Sequence, residues 1–153
     1  PTIRLAQLAV LVYESQKLFS KILEAGNLQQ VQQLFSITAN DYWHYHYRFA
    51  EETPYKEKKL GRQMVDGILI NTVIPILYAY GQYHQNDKIK EKAIAWMQQL
   101  PTEKNSITTG FKNLGLRCAK ASESQAYLQL KNEYCNHKRC LQCSIGNAIL
   151  KME

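Results

Sequence analysis

Between Leu60 and His84 the chain carries its longest apolar run, and that run limits what the rest can fold into. Ile68, Leu69, Val73, Ile76, Leu77 and Tyr80 share one broad helical face, while Ile70 and Ile74 fall elsewhere on the wheel. A helix that is apolar nearly all round must be packed on several sides, so it is predicted to be the central helix. Pro75 has no amide hydrogen and is expected to kink it, freeing the Asn71 carbonyl. The apolar stretch itself, Met64 to Tyr80, is interrupted by Asp66, Asn71 and Pro75. It falls short of the about 20 residues a membrane span needs, so no membrane partner is expected.

Helical spacing recurs elsewhere. Leu5, Leu8, Ala9 and Val12 fall three and four apart in a helix from Ile3 to Ser15. A short helix from Lys17 to Ala25 meets Gly26, a natural left-handed cap. Asn27 caps a third, with Leu28, Val31, Leu34 and Phe35 inward and Gln29, Gln30, Gln32 and Gln33 on the wet side. Asn86 or Asp87 opens a helix that Pro101 stops, and Ser106–Leu116, Ser122–Tyr134 and Cys140–Leu150 complete the set. Asp41 to Phe49 alternates as a strand does, but its helical surroundings favour helix, and Glu51 to Lys59 reads as a loop around Pro54. With 153 residues, 45% of them apolar, and no linker or repeat, the chain is expected to be one all-α domain. Its architecture is an irregular multi-helix bundle around the Pro-kinked helix, with a Cys-rich helical segment at about 122–153. Pro1 in place of Met points to a piece of a longer protein, and no secretion signal is visible, so a cytoplasmic setting is expected.

The strongest chemical signal is Cys135, Cys140 and Cys143. Thiolates are soft ligands, and a pair three residues apart on the first turn of a helix can share one ion. Convergence of the three sulfurs is therefore expected, holding zinc or an iron–sulfur cluster. The fourth ligand would be His137, Cys118 or a group outside the chain. Plain thiols and a redox switch are the alternatives. The net charge is +6, and Lys56, Lys58, Lys59 and Arg62 form a basic stretch that would meet nucleic acid if the charge has a partner. His44 and His46 sit among aromatics that suit base stacking as well as core packing. Asp66 and Asn71 require hydrogen-bond partners wherever the helix buries them. There is no Gly-rich phosphate loop, no His-Glu-x-x-His, no serine elbow and no paired acid and base, so the chain itself is read as non-catalytic.

The string Leu130–Lys–Asn–Glu–Tyr–Cys135–Asn–His–Lys–Arg–Cys140–Leu–Gln–Cys143–Ser–Ile–Gly146–Asn147, with Ser124–Gln125, Pro1–Leu8 and Ile70–Pro75, resembles an uncharacterised bacterial family common in Bacteroidetes. The resemblance implies that this chain is the C-terminal portion of a considerably longer protein, whose N-terminal region is then its first partner. That region resembles a restriction-endonuclease-like core with an acidic motif. Some nucleases of that class hold an iron–sulfur cluster with one remote and three close C-terminal cysteines, and Cys135, Cys140 and Cys143 look like the close three. The spacing departs from that pattern, and the acidic motif is not in this chain. The resemblance thus implies an accessory domain of a nucleic-acid-processing protein, with a metal-free structural or protein-interaction domain as the alternative.

Overall fold

Side-chain caps set the helix starts. Asn27 Oδ1 accepts the Gln30 amide at 2.9 Å and opens α3 (Leu28–Leu34). Asn105 Oδ1 accepts the Thr108 amide at 2.9 Å, and Thr108 Oγ1 accepts the Asn105 amide at 3.1 Å, a reciprocal box that opens α8 (Ser106–Asn113). The computed structural model describes residues 2–151. Its other helices are α1 (Thr2–Glu14), α2 (Leu18–Glu24), α4 (Asp41–His44), α5 (Arg62–Ile68), α6 (Ile74–Tyr83), α7 (Asp87–Gln99), α9 (Ala121–Gln129) and α10 (Ser144–Leu150). The fold is all-α and multi-helical, as expected. Among the described residues the only sheet is a ribbon of β1 (His46–Arg48) and antiparallel β2 (Glu51–Glu52). The chain gathers into two compact units, one up to Trp96 and one from Met97 on, and the division falls inside α7 rather than at a linker.

The N-terminal unit is built on the run Arg62–Tyr83. Its buried apolar side chains are Val65, Leu69, Ile70, Val73, Ile74 and Leu77, with Leu69 and Leu77 fully covered. Ile76 is 50% exposed, so the helix is buried along one side and not all round. The reason is a π turn, Leu69–Val73, closed by the Ile74 amide on the Leu69 carbonyl. Such a turn takes in one residue more than an α turn and sets everything after it back by roughly 100°. On an unbroken α wheel Ile76 would fall between Val65 and Leu69, and the reset carries it off that side and brings Ile74 and Leu77 round toward it. The π turn also sits immediately before Pro75, where the α ladder loses a donor. The run is 22 residues, long and apolar enough by length and composition to cross a membrane, which corrects the shorter span read from sequence. A packed core helix meets the same criterion, and Leu69 and Leu77 are packed.

Helix α1 turns most of its regularly spaced apolar residues outward. Gln7 and Leu11 are buried, whereas Leu5, Leu8, Val12 and Tyr13 are 52–86% exposed. Gln7 fixes the rotation: its Nε2 donates to the Lys58 carbonyl at 2.9 Å and its Oε1 accepts from Arg4 at 2.8 Å. Tyr42–Phe49 divides between both readings, one helical turn followed by a strand, and the ribbon closes through Phe49 and a left-handed Ala50 (φ 63°). Gly26 is not a left-handed cap; helix α2 ends on extended Ala25, and the Gly26 amide is taken by Gln30 Oε1 at 2.7 Å.

In the C-terminal unit, Leu100, Thr108, Cys118, Ala121 and Ser124 are buried. Thr102 and Ala121 donate backbone hydrogen bonds to Ala119 and Leu100, which pairs the entry to α9 with the segment at Pro101. Helix α9 continues into a second π turn, Leu130–Cys135. Glu123 closes the start of α9 by accepting the Ala119 and Lys120 amides at 2.6 and 3.0 Å. Those hydrogen bonds, with Lys120 the larger contributor, hold its carboxyl below the usual glutamate value of 4.5. A depressed folded-state pKa stabilises above the unfolded value and ceases to do so as pH falls through the folded one. The Ala119 and Lys120 amide resonances are therefore expected to titrate together below pH 4.5 and to stay still in Glu123→Gln. A midpoint at or above the ordinary value would refute this.

Candidate functional site

The basic stretch is not a solvated loop. The Ala39 amide donates to the Lys58 carbonyl at 3.1 Å, and the Leu60 amide to the Ile37 carbonyl at 2.9 Å. This strand-like pairing gives the segment a period of two, so Lys58 and Leu60 point inward and Lys59 outward. Lys58, 6% exposed, is thereby withdrawn from any phosphate. Its ammonium lies 3.9 Å over the Tyr47 ring and donates to the Lys56 carbonyl at 3.1 Å. The Lys58 amide donates to His44 Nδ1 at 3.2 Å, which places the His44 proton on Nε2, 4.0 Å from Asp41. His46 instead stacks on Tyr42 at 4.0 Å. The two histidines thus serve the ribbon, and the cations left at the surface are Lys56, Lys59 and Arg62.

Lys59 and Arg62 line an open cleft of about 400 Å³ whose opposite wall is Gln29, Gln32, Gln33 and Ser36, from α3 and its end. The wet side of α3 read from sequence is this wall. Asp66, buried beside it, accepts Gln32 Nε2 at 3.0 Å and faces Arg62 Nε at 3.4 Å. That pairing is the hydrogen-bonding duty expected of a buried Asp66. Asn71 meets its own by donating to the Gly67 carbonyl at 3.0 Å, and it lies exposed. Arg62 is held at one nitrogen while its side chain stays 72% exposed. The four-residue spacing of Arg62 and Asp66 was a visible signal of this tether.

Cys135, Cys140 and Cys143 fall in three successive local elements. Among the described residues no group of three or more His, Cys, Asp and Glu side chains is placed to hold a metal ion. The expected shared helix turn is broken. Cys140–Gln142 is one 3₁₀ turn, Cys143 has extended backbone (φ −100°, ψ 129°), and α10 begins only at Ser144. Cys135 ends the second π turn, and a left-handed Lys138 (φ 53°) turns the chain between them. Cys118 is buried with its sulfur 3.0 Å from Thr102 Oγ1, and His137 lies in the exposed turn.

Residues 1–106 match a family described as "Protein of unknown function (DUF2851)". The chain belongs to that family. The match includes the cleft and the central helix and ends before the cysteine-bearing segment. No curated protein and no solved structure matches the chain.

Proposed function

We propose that this DUF2851 chain is a non-catalytic helical accessory module of a larger nucleic-acid-processing protein, and that it grips the phosphate backbone at the cleft beside Lys59 and Arg62. The observation that carries the reading is the pairing of two outward cations with a wall of three glutamines and a serine. Lysine meets a phosphate as a point charge and arginine as a planar fork. Glutamine amides and a serine hydroxyl add neutral hydrogen bonds to phosphate and sugar. Asp66, the nearby buried carboxylate, is partnered by Gln32 and Arg62 and adds no acid–base pair.

Binding of labelled single-stranded and duplex DNA, followed by anisotropy across a salt series, tests this. Lys59→Glu with Arg62→Glu is expected to weaken binding about tenfold or more and to reduce the salt slope by about two. Lys58→Ala is expected to lower stability instead, because its side chain is inside. Equal affinity after the double reversal, or no binding at low salt, would remove the reading.

A second reading is favoured by one specific feature, the exposed stripe Leu5, Leu8, Val12 and Tyr13 on α1. Contiguous exposed apolar side chains mark association surfaces. The chain would then be a protein-interaction domain, with the remainder of its parent as partner. Polyanion binding would be absent, and Leu8→Glu would release that partner.

A further inference from the structure

The proposed nucleic-acid role leaves the Cys140-Leu-Gln-Cys143 turn without a task, and its geometry suits a different one. We infer that Cys140 and Cys143 are a reversible dithiol–disulfide pair that exchanges with small-molecule disulfides. The Cys143 amide donates to the Cys140 carbonyl at 3.2 Å, which closes the 3₁₀ turn. In such a turn residues three apart eclipse each other, and a rise of about 2.0 Å per residue puts their Cα atoms about 6 Å apart. That separation lies within the range a disulfide bridges.

The turn is held from both sides. Asn147 Nδ2 donates to the Leu141 carbonyl at 2.7 Å, Arg139 Nε donates to Gln142 Oε1 at 2.7 Å, and Gly146 packs directly on the Cys140 backbone. Cys140 is exposed and Cys143 half-buried, which assigns first contact to Cys140 and resolution to Cys143. Cys118 is buried against Thr102 and takes no part.

The exchange balances in two steps. The Cys140 thiolate attacks one sulfur of R–S–S–R, forming a mixed disulfide and releasing one thiolate R–S⁻. Cys143 then loses its proton to solvent and attacks the Cys140 sulfur, expelling the second R–S⁻. The two protein thiols are oxidised by two electrons, and the small disulfide is reduced to two thiols.

The test uses the intact reduced chain and oxidised glutathione, followed by alkylation and tryptic digestion. Cleavage after Arg139 and Lys151 leaves Cys140 and Cys143 on one peptide and Cys135 on another. The expected product is that peptide two hydrogens lighter and unalkylated. In Cys143→Ser, where serine also suits the start of α10, a glutathione adduct on Cys140 is expected to persist at least about tenfold longer than in the parent chain. Separate adducts on Cys140 and Cys143, a bond from Cys135 to Cys140, or equal adduct lifetimes in the two proteins would overturn the inference.

Discussion

Leu77→Ala is expected to destabilise the N-terminal unit by about 2–5 kcal/mol, the range for emptying a fully covered leucine site. Leu77 is 0% exposed and follows the π turn on α6, flanked on the same run by buried Val73, Ile74 and Gly81. The Gln32 hydrogen bond to Asp66 ties the start of the same helical run to α3. Ile76, one residue earlier, is 50% exposed, and Ile76→Ala is expected to cost less than about 1 kcal/mol. The readout is selective, because both tryptophans, Trp43 and Trp96, lie in this unit and are buried. Denaturant unfolding followed by tryptophan fluorescence therefore reports on it alone. Equal costs at the two positions would mean that the packed side of the helix has been misplaced.

Gly146→Ala is expected to cost about 1–3 kcal/mol in the C-terminal unit, despite placing a better helix former in α10. A β-carbon there would fall on the Cys140 carbonyl oxygen and 3.0 Å from both the carbonyl carbon and Cα of Cys140. All three are backbone atoms, so relief means moving the 3₁₀ turn off the helix. The Asn147-to-Leu141 hydrogen bond should be lost with it, and amide exchange should speed up at Asn147 and Lys151, whose amides close the ends of α10. Gly110→Ala in α8, where a β-carbon meets nothing within 4 Å, is the matched control, expected to be neutral or stabilising by up to about 1 kcal/mol. Stabilisation at Gly146 would show that the close approach has no energetic weight.

Local chemistry was readable where both partners lie within a few residues. The Asn27 cap, the helix from Asp87 and the extent of α9 with its continuation to Cys135 follow from spacing alone. What escaped the sequence depends on distant partners. The rotation of α1 hangs on Gln7 reaching a carbonyl 51 residues away, and periodicity cannot distinguish that from an inward Leu5–Leu8–Val12 face. Lys58 appeared to belong to a charged surface because its strand-like pairing with Ile37–Ala39 is invisible until the two segments meet. The cleft was legible in pieces, the wet glutamines on one helix and Lys59 and Arg62 elsewhere, but their adjacency is a property of the fold. The start of the last helix was read four residues early, because a 3₁₀ turn at Cys140–Gln142 and an extended Cys143 precede Ser144 and spacing alone does not separate such a turn from a helix.

The π turn at Leu69–Val73 also bears on how chains of this family should be compared. A helix normally has a fixed phase, so one added or lost residue swings everything downstream to a new compass bearing. Here the phase has already been reset once, by a turn that stores a single surplus residue beside a proline. A relative one residue shorter between Gly67 and Pro75 would recover the same bearing for Leu77 with an unbroken α ladder. An alignment gap at that place would therefore record a change of helix winding and leave the core unaltered.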